Sequence, residues 1–302
     1  MISFIILNYN TSELTLRCIR SIDRQLAPDG KGEAELRYEI IVVDNHSTDS
    51  EWEALQKGIG RSDIQLFRSR LNVGFGAGNM LGANLAKGDF LCFLNSDVLL
   101  TEDCITPLCR YLTEHPDTGC ITAQQYNAKN EPIASFNHSP GIRYELLGRH
   151  FLEKFFPAHY PRRKGIVHDK PFRAPQINGC LLLFPADKFW SIGGFDPNIF
   201  LYYEEYDVGM RLKQQGWHCV VHPLYRFSHL HGASTKKVRS LSLRELYISK
   251  MYCYRKHHNL LLSTIYRLIH IFQLCVKPHK WYILPVVLRG EALSKSMRHR
   301  VR

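Results

Sequence analysis

No stretch of about eighteen apolar residues occurs in this chain of 302 residues, so no segment is expected to cross a membrane as a helix. No Cys-x-x-Cys pair occurs either, and the nine cysteines are scattered and odd in number. That pattern argues against a disulfide framework and for buried free thiols in a reducing compartment. No basic residue precedes Arg17 and the first apolar run breaks at Asn8, which argues against a signal peptide. Internal repeats and low-complexity segments are absent. Acidic residues nearly vanish at one end: residues 236–302 hold 15 Lys/Arg against 2 Asp/Glu, a net of +13. Residues 1–235 hold 24 against 26, a net of −2, so the basicity belongs to the tail. The shift suggests a main unit over 1–235 and a separate tail over 236–302.

What is present is globular in kind, with 45% hydrophobic and 22% charged residues. The length suits one large α/β domain with an appendage, or two domains. Apolar runs at 3–7, 39–43, 64–68 and 90–94 read as strands, and 180–184 as another. Helical patterns start at about residue 13, cover 50–57, follow the glycine-rich 72–82, and cover 102–114. Strands alternating with helices predict a mostly parallel, doubly wound central sheet flanked by helices. Residues 136–172, with Pro140, Pro157, Pro161 and Pro171, read as a loop-rich insertion of the kind that forms lids.

Polar clusters follow the strands. Phe90-Leu91-Cys92-Phe93-Leu94 ends abruptly in Asn95-Ser96-Asp97. A carboxylate at the carboxyl end of a central strand lies where open α/β sheets bind ligands, and it can hold a divalent cation against a phosphate. A capped turn is the ordinary alternative. Asp44-Asn45-His46-Ser47-Thr48-Asp49 could accept hydrogen bonds from a nucleotide's ribose or base, or serve as Asx turn and helix cap. Asn72 to Asn79 carries Gly74, Gly76 and Gly78, for close ligand approach or for tight helix packing. It is not a dinucleotide fingerprint, whose glycines would follow the first strand.

Glu204, Glu205 and Asp207 fall among four aromatics, Phe200, Tyr202, Tyr203 and Tyr206. On a helix, Glu204 and Asp207 share a face and Glu205 points about 100° away. A carboxylate in such a place can have a raised pKa and act as a base; complementing the helix dipole is the ordinary alternative. His229 and His231 point the same way if extended, a pairing that suits a metal.

In this order and spacing the motifs resemble the family 2 glycosyltransferases, in particular the bacterial rhamnosyltransferase-like enzymes of surface-polysaccharide assembly. The resemblance covers about residues 2–235. It rests on Ile5-Ile6-Leu7-Asn8-Tyr9-Asn10, Val43-Asp44-Asn45-His46-Ser47, Asn72-Val73-Gly74-Phe75-Gly76, Leu94-Asn95-Ser96-Asp97, Gly193-Gly194-Phe195-Asp196 and Tyr203-Glu204-Glu205-Tyr206-Asp207. It implies the GT-A fold, with a nucleotide-sugar half over 1–100 and an acceptor half over 101–235. It also implies a nucleotide-diphospho-sugar donor, dTDP-rhamnose first, and inversion at the anomeric carbon.

On the same resemblance, Asp44 binds the donor nucleotide with Asn8, Asn45, Asn72, Gly74, Gly76, Asn79 and Asn95. Asp97 is the metal-ligating member of the family's Asp-x-Asp motif, whose first acid is here Asn95. His229, or His231, completes a Mg2+ or Mn2+ site. Glu205 falls on the expected base, with Glu204 as fallback and Asp207 beside them, and Asn178, Gly179 and Tyr203 face the acceptor. The family usually has Glu-Asp where this chain has Glu204-Glu205.

In the tail, Leu261, Ile265, Leu268, Ile269, Phe272 and Val276 fall on one helical face, with Ser263, Arg267 and His270 opposite. Trp281 and Tyr282 follow, near Lys277 and Lys280. This suits an anionic membrane surface and a glycan acceptor on a lipid carrier, hence a peripheral place on the cytoplasmic face of a bacterial plasma membrane. The alternative is that the apolar face packs on the main domain. A nucleic-acid partner is not expected, because no recognisable module occurs and the acidic clusters would repel a phosphate backbone. A metal-dependent sugar nucleotidyltransferase and a catalytically silent nucleotide-sugar binder are the rival readings.

Overall fold

The structure, a computed structural model, describes residues 1–26, 36–230, 239–289 and 296–297. The chain begins β1 (Ile2–Asn8), α1 (Ser12–Leu26), β2 (Tyr38–Asp44), α2 (Asp49–Ile59), β3 (Ile64–Arg68), α3 (Phe75–Ala83) and β4 (Phe90–Asn95). These are the alternating elements expected, with ends moved by a residue or two. The β1 strand pairs parallel with β2 and β4, and β2 with β3. The register sets Asn8 opposite Asp44 and Leu7 opposite Asn95, so the polar strand tips lie side by side at one edge. The strands are buried on both faces, which is why they read as continuous apolar runs.

Next come β5 (Val98–Leu99), α4 (Ile105–Glu114), β6 (Thr118–Tyr126), β7 (Phe136–Asn137), α5 (Ile142–Leu147) and α6 (Arg149–Phe155). Then follow β8 (Phe172–Ala174), β9 (Gln176–Ile177), β10 (Leu181–Pro185), α7 (Ala186–Ser191), α8 (Glu204–Gln214) and β11 (His218–His229). The main sheet runs β3-β2-β1-β4-β10-β6-β11-β5, with β8 added on β11. Its first four strands are parallel as expected. Beyond them it is mixed, because β10 runs antiparallel between β4 and β6. The insertion is not wholly irregular, since it contains α5 and α6.

One apolar core lies on the α1 and α4 side of the sheet. The other is built around Phe93, Phe184, Phe189 and Phe195. Phe93 sits 4.9 Å, ring centre to ring centre, from Phe195. Phe195 leads into the turn before α8, so this core sets where that helix begins. All nine cysteines are free, eight of them buried.

The tail forms α9 (Arg239–His257), α10 (Leu260–Cys275), a 3-10 turn (Pro278–Ile283) and α11 (Leu284–Arg289). The change in charge near 236 is not a gap in packing. Cys253 of α9 shares a small apolar cluster with Ile199 and Tyr206. No helix among the described residues is long and apolar enough to cross a membrane.

Candidate active site

The floor of the site is the row of strand tips. Asn8 donates to Asp44 Oδ1 at 2.7 Å and to Ser47 Oγ at 3.1 Å, while its own Oδ1 accepts from Thr15 at 2.8 Å. Asp44 Oδ2 accepts from the Ser47 amide at 3.1 Å and lies 3.5 Å from Arg68 Nε. Asp44 is fully buried. Its carboxylate therefore shapes the turn over residues 44–47, and a nucleotide reaching it would have to share these donors.

Asn45 and Asn72 are engaged with each other at 3.0 Å, and Asn45 also donates to the Gly74 carbonyl at 3.1 Å. Together they staple the 72–74 loop to the end of β2. The glycines there permit close packing, the second of the two sequence readings. Gly74 has φ +88°, and a Cβ on it would lie 2.2 Å from the Phe200 carbonyl oxygen. A Cβ on Gly76 would lie 3.2 Å from Phe195 Cβ, and on Gly78 2.6 Å from a Leu7 methyl. Helix α3 thus lies directly on the sheet. Asn79 is buried, donates to the Phe75 carbonyl, and leaves its Oδ1 without a hydrogen-bond partner. Asn95 ends β4, where its amide donates to the Cys180 carbonyl at 2.9 Å.

Asp97 and His229 are 132 positions apart, yet His229 Nε2 is 3.0 Å from Asp97 Oδ1. Strand pairing explains it: β5 runs antiparallel to β11 with His229 opposite Val98, and the Leu230 amide donates to the Asp97 carbonyl. Burial works against a proton on His229, but the Asp97 carboxylate and the Cys180 thiol outweigh it and raise its pKa to about 10. A carboxylate and an imidazole this close suit a shared Mn2+ or Mg2+, with remaining positions for water and phosphate oxygens. Such an ion would displace the imidazole proton. Among the described residues no group of three or more His, Cys, Asp or Glu is placed to hold a metal ion. His231 lies outside the described residues. Buried Gln125, which the sequence reading missed, is 2.6 Å from His229 Nδ1 and orients the ring. Asn178 donates to Gln125 Oε1 at 3.4 Å and accepts from Asn137 at 2.8 Å. Its side-chain amide therefore braces Gln125, which in turn holds His229.

The third part is the start of α8. Tyr202 and Tyr203 have φ of 68° and 71°, two consecutive side chains in the left-handed region. Such strain persists only where surrounding contacts hold it. Tyr203 is held by its ring, which packs against Tyr206 and Tyr254, so it faces the tail helices more than a cleft. Glu205 accepts from the Gly179 amide at 2.9 Å, and burial raises its pKa despite that bond. Glu204 is 3% exposed, and its Oε1 has no hydrogen-bond partner. Burial first, then the Glu205 charge, pushes its pKa well above the ordinary range. The two carboxyl groups therefore differ in environment: burial raises the pKa of both, and Glu205 is the more accessible of the two.

Asp207, which the resemblance set beside the two glutamates, has all its neighbours within the protein. It is fully buried, bonded to His257 Nε2 at 2.7 Å, Lys256 Nζ at 2.6 Å and Arg211 Nε at 2.9 Å. Burial alone would raise its pKa; His257 and the two cations bring it down to about 2. It anchors α8 to α9. Lys256 also binds Asp196 at 2.6 Å, so α9 clasps both ends of the 196–207 segment. No motif advertised these tail residues.

The glycosyl transferase family 2 model matches residues 3–172, more than half the chain. A polypeptide N-acetylgalactosaminyltransferase 11 from Xenopus tropicalis is 27% identical over 242 residues, covering 76% of this chain and 38% of that protein. An N-acetylglucosaminyl-diphospho-decaprenol L-rhamnosyltransferase from Mycobacterium tuberculosis is 24% identical over 211 residues, covering 65% of this chain and 67% of the relative. The crystal structure of GalNAc-T7 with UDP, GalNAc and Mn2+ superposes with a TM-score of 0.58 at 18% identity, covering 84% of this chain and 49% of that one. That likeness shows the GT-A fold, here with a helical C-terminal extension. The chain thus spans well under half the length of the first of these relatives. By the match over residues 3–172, it belongs to glycosyl transferase family 2.

Proposed function

We propose that this chain is an inverting, metal-dependent glycosyltransferase that moves a sugar from a nucleotide-diphospho-sugar to a hydroxyl of a lipid-linked bacterial surface glycan. The observation that carries the reading is the nearness of two unlike centres: Asp97 with His229 at 3.0 Å, and Glu205 of α8 held by Gly179 at 2.9 Å. Gly179 precedes Cys180, which hydrogen-bonds Asn95 two residues before Asp97, so the two centres are neighbours.

In this reading the donor diphosphate lies over the strand tips. Mg2+ or Mn2+ held by Asp97 and His229 supplies charge neutralisation to the leaving diphosphate, on the order of several kcal/mol. Glu205 takes the acceptor hydroxyl's proton as the new bond forms, on the face away from the leaving group, which is worth about 10²–10⁴-fold. Glu204, kept neutral, can donate a hydrogen bond and adds no second charge beside the base. The rhamnosyltransferase relative supports dTDP-rhamnose and a lipid-diphosphate acceptor, and the N-acetylgalactosaminyl relative keeps UDP-sugars in view.

A donor panel of dTDP-rhamnose, UDP-galactose, UDP-glucose and UDP-N-acetylgalactosamine, assayed with Mn2+, tests this. Release of nucleoside diphosphate that is abolished by chelation is expected. Release of pyrophosphate instead would identify a nucleotidyltransferase, and no turnover of any donor would favour a silent binder.

A further inference from the structure

Helix α10 is apolar on two faces, one of which buries Tyr266 and Leu274 in a core with Leu262 and Ile271. Its polar members Ser263 and His270 are buried against the body of the protein, His270 at 1% exposure. Its other apolar face turns outward: Leu261 and Phe272 are each 71% exposed, Leu268 59% and Val276 63%. At about 100° per residue these four positions lie within one narrow sector opposite Ser263, Tyr266 and His270. A water-facing helix should be polar on its outer face.

A second segment repeats the pattern beside it. In the insertion, Leu146 is 63% exposed, and Phe151, Phe155 and Phe156 are exposed, with the Phe151 and Phe155 rings in contact at 4.6 Å between centres. Helix α5 is fixed to the tail by the Gln273 side chain, which donates to the Glu145 carbonyl at 2.6 Å, and by Lys250 paired with Glu145 at 2.9 Å. Most of the exposed large hydrophobic side chains of the described residues come from these two segments. Exposed apolar surface gathered in this way marks an interaction site.

The charge around it selects the partner. Residues 260–289 contain four basic residues and no acidic one. Residues 136–172 contain seven basic and three acidic ones, and of the acids Glu145 and Glu153 are already paired with Lys250 and His138. A second copy would bring the same positive charge against itself. Trp281 and Tyr282, both exposed, sit beside Lys277 and Lys280, the arrangement of an interfacial anchor.

We infer that the outward faces of α10 and the α5–α6 insertion together dock this protein on an anionic lipid bilayer, with the aromatic and leucine side chains in the headgroup region. The inference deepens the lipid-linked acceptor reading and rests on it only for what the docked enzyme would meet there. Binding is read without donor or acceptor, so it and the catalytic reading fail separately.

The purified full chain is floated with phosphatidylcholine vesicles, with and without phosphatidylglycerol. Recovery with the anionic vesicles, weakened by added salt and slight with the neutral ones, is expected. Leu268→Ser with Phe272→Ser should lower partition by about tenfold or more, as should Phe151→Ser with Phe155→Ser, with the thermal melt unchanged. No flotation of the wild type, equal flotation of the first double variant, or equal recovery on neutral vesicles would overturn the inference. So would sedimentation showing a dimer that this double variant dissolves.

Discussion

The main-chain amide of Gly179 donates to Oε1 of Glu205 at 2.9 Å, and they can meet because residue 179 has no side chain. A Cβ there would lie 2.5 Å from that same oxygen. Gly179→Ala should therefore displace the carboxylate while leaving the fold intact. Transfer is expected to fall by about 10²-fold, since misplacement of roughly an ångström costs that much. Steady-state turnover beside a thermal melt checks it; normal turnover would mean the contact is not used.

The proposed base, Glu205, has to be ionised to take a proton, so its raised pKa predicts a kinetic signature. The rate should climb as pH rises through a value above the ordinary 4.5 of glutamate. A profile of kcat/KM against pH measures it. Glu205→Gln should abolish that limb, and an acid limb at or below 4.5 would show that burial does not tune the base.

Asp97→Asn and His229→Ala should each weaken Mn2+ binding by about tenfold to a hundredfold. Gln125→Ala, which touches no ion, should weaken it less and still measurably, because it frees the His229 ring. Titration calorimetry with Mn2+ alone reads all three variants.

Asp207 predicts a stability effect without a catalytic proton. Its pKa of about 2 lies below its ordinary 3.8, so ionisation favours the folded state. That contribution, on the order of 2 kcal/mol, is complete above pH 3.8 and fades as pH falls toward 2. Asp207→Asn leaves Arg211, Lys256 and His257 without their buried counter-charge and should cost about 3–5 kcal/mol. Denaturant unfolding at neutral pH checks the size, and flattening of the acid limb checks the cause.

The parallel half of the sheet was legible because strands buried on both faces leave continuous apolar runs. The mixed half was not, since strand direction depends on which tip β10 meets and carries no local mark. The motifs marked Asp97 and Glu205 as candidates. They did not mark Gln125, Lys256 and His257, because each acts through a partner more than fifty positions away or on another element. The Gly74 reading was open for the same reason: a positive φ needed for a close contact leaves the same glycine whether that contact is a ligand or, as here, Phe200. The apolar stripe of α10 was correctly placed on one face, but which face turns outward is decided by the buried bonds of Glu145 and His270.

The central claim is that Glu205 removes the acceptor proton. Glu205→Gln, assayed with the best donor from the panel, should bind that donor as the wild type does and lose transfer by about 10²–10⁴-fold. Near-wild-type transfer by that variant would contradict the account.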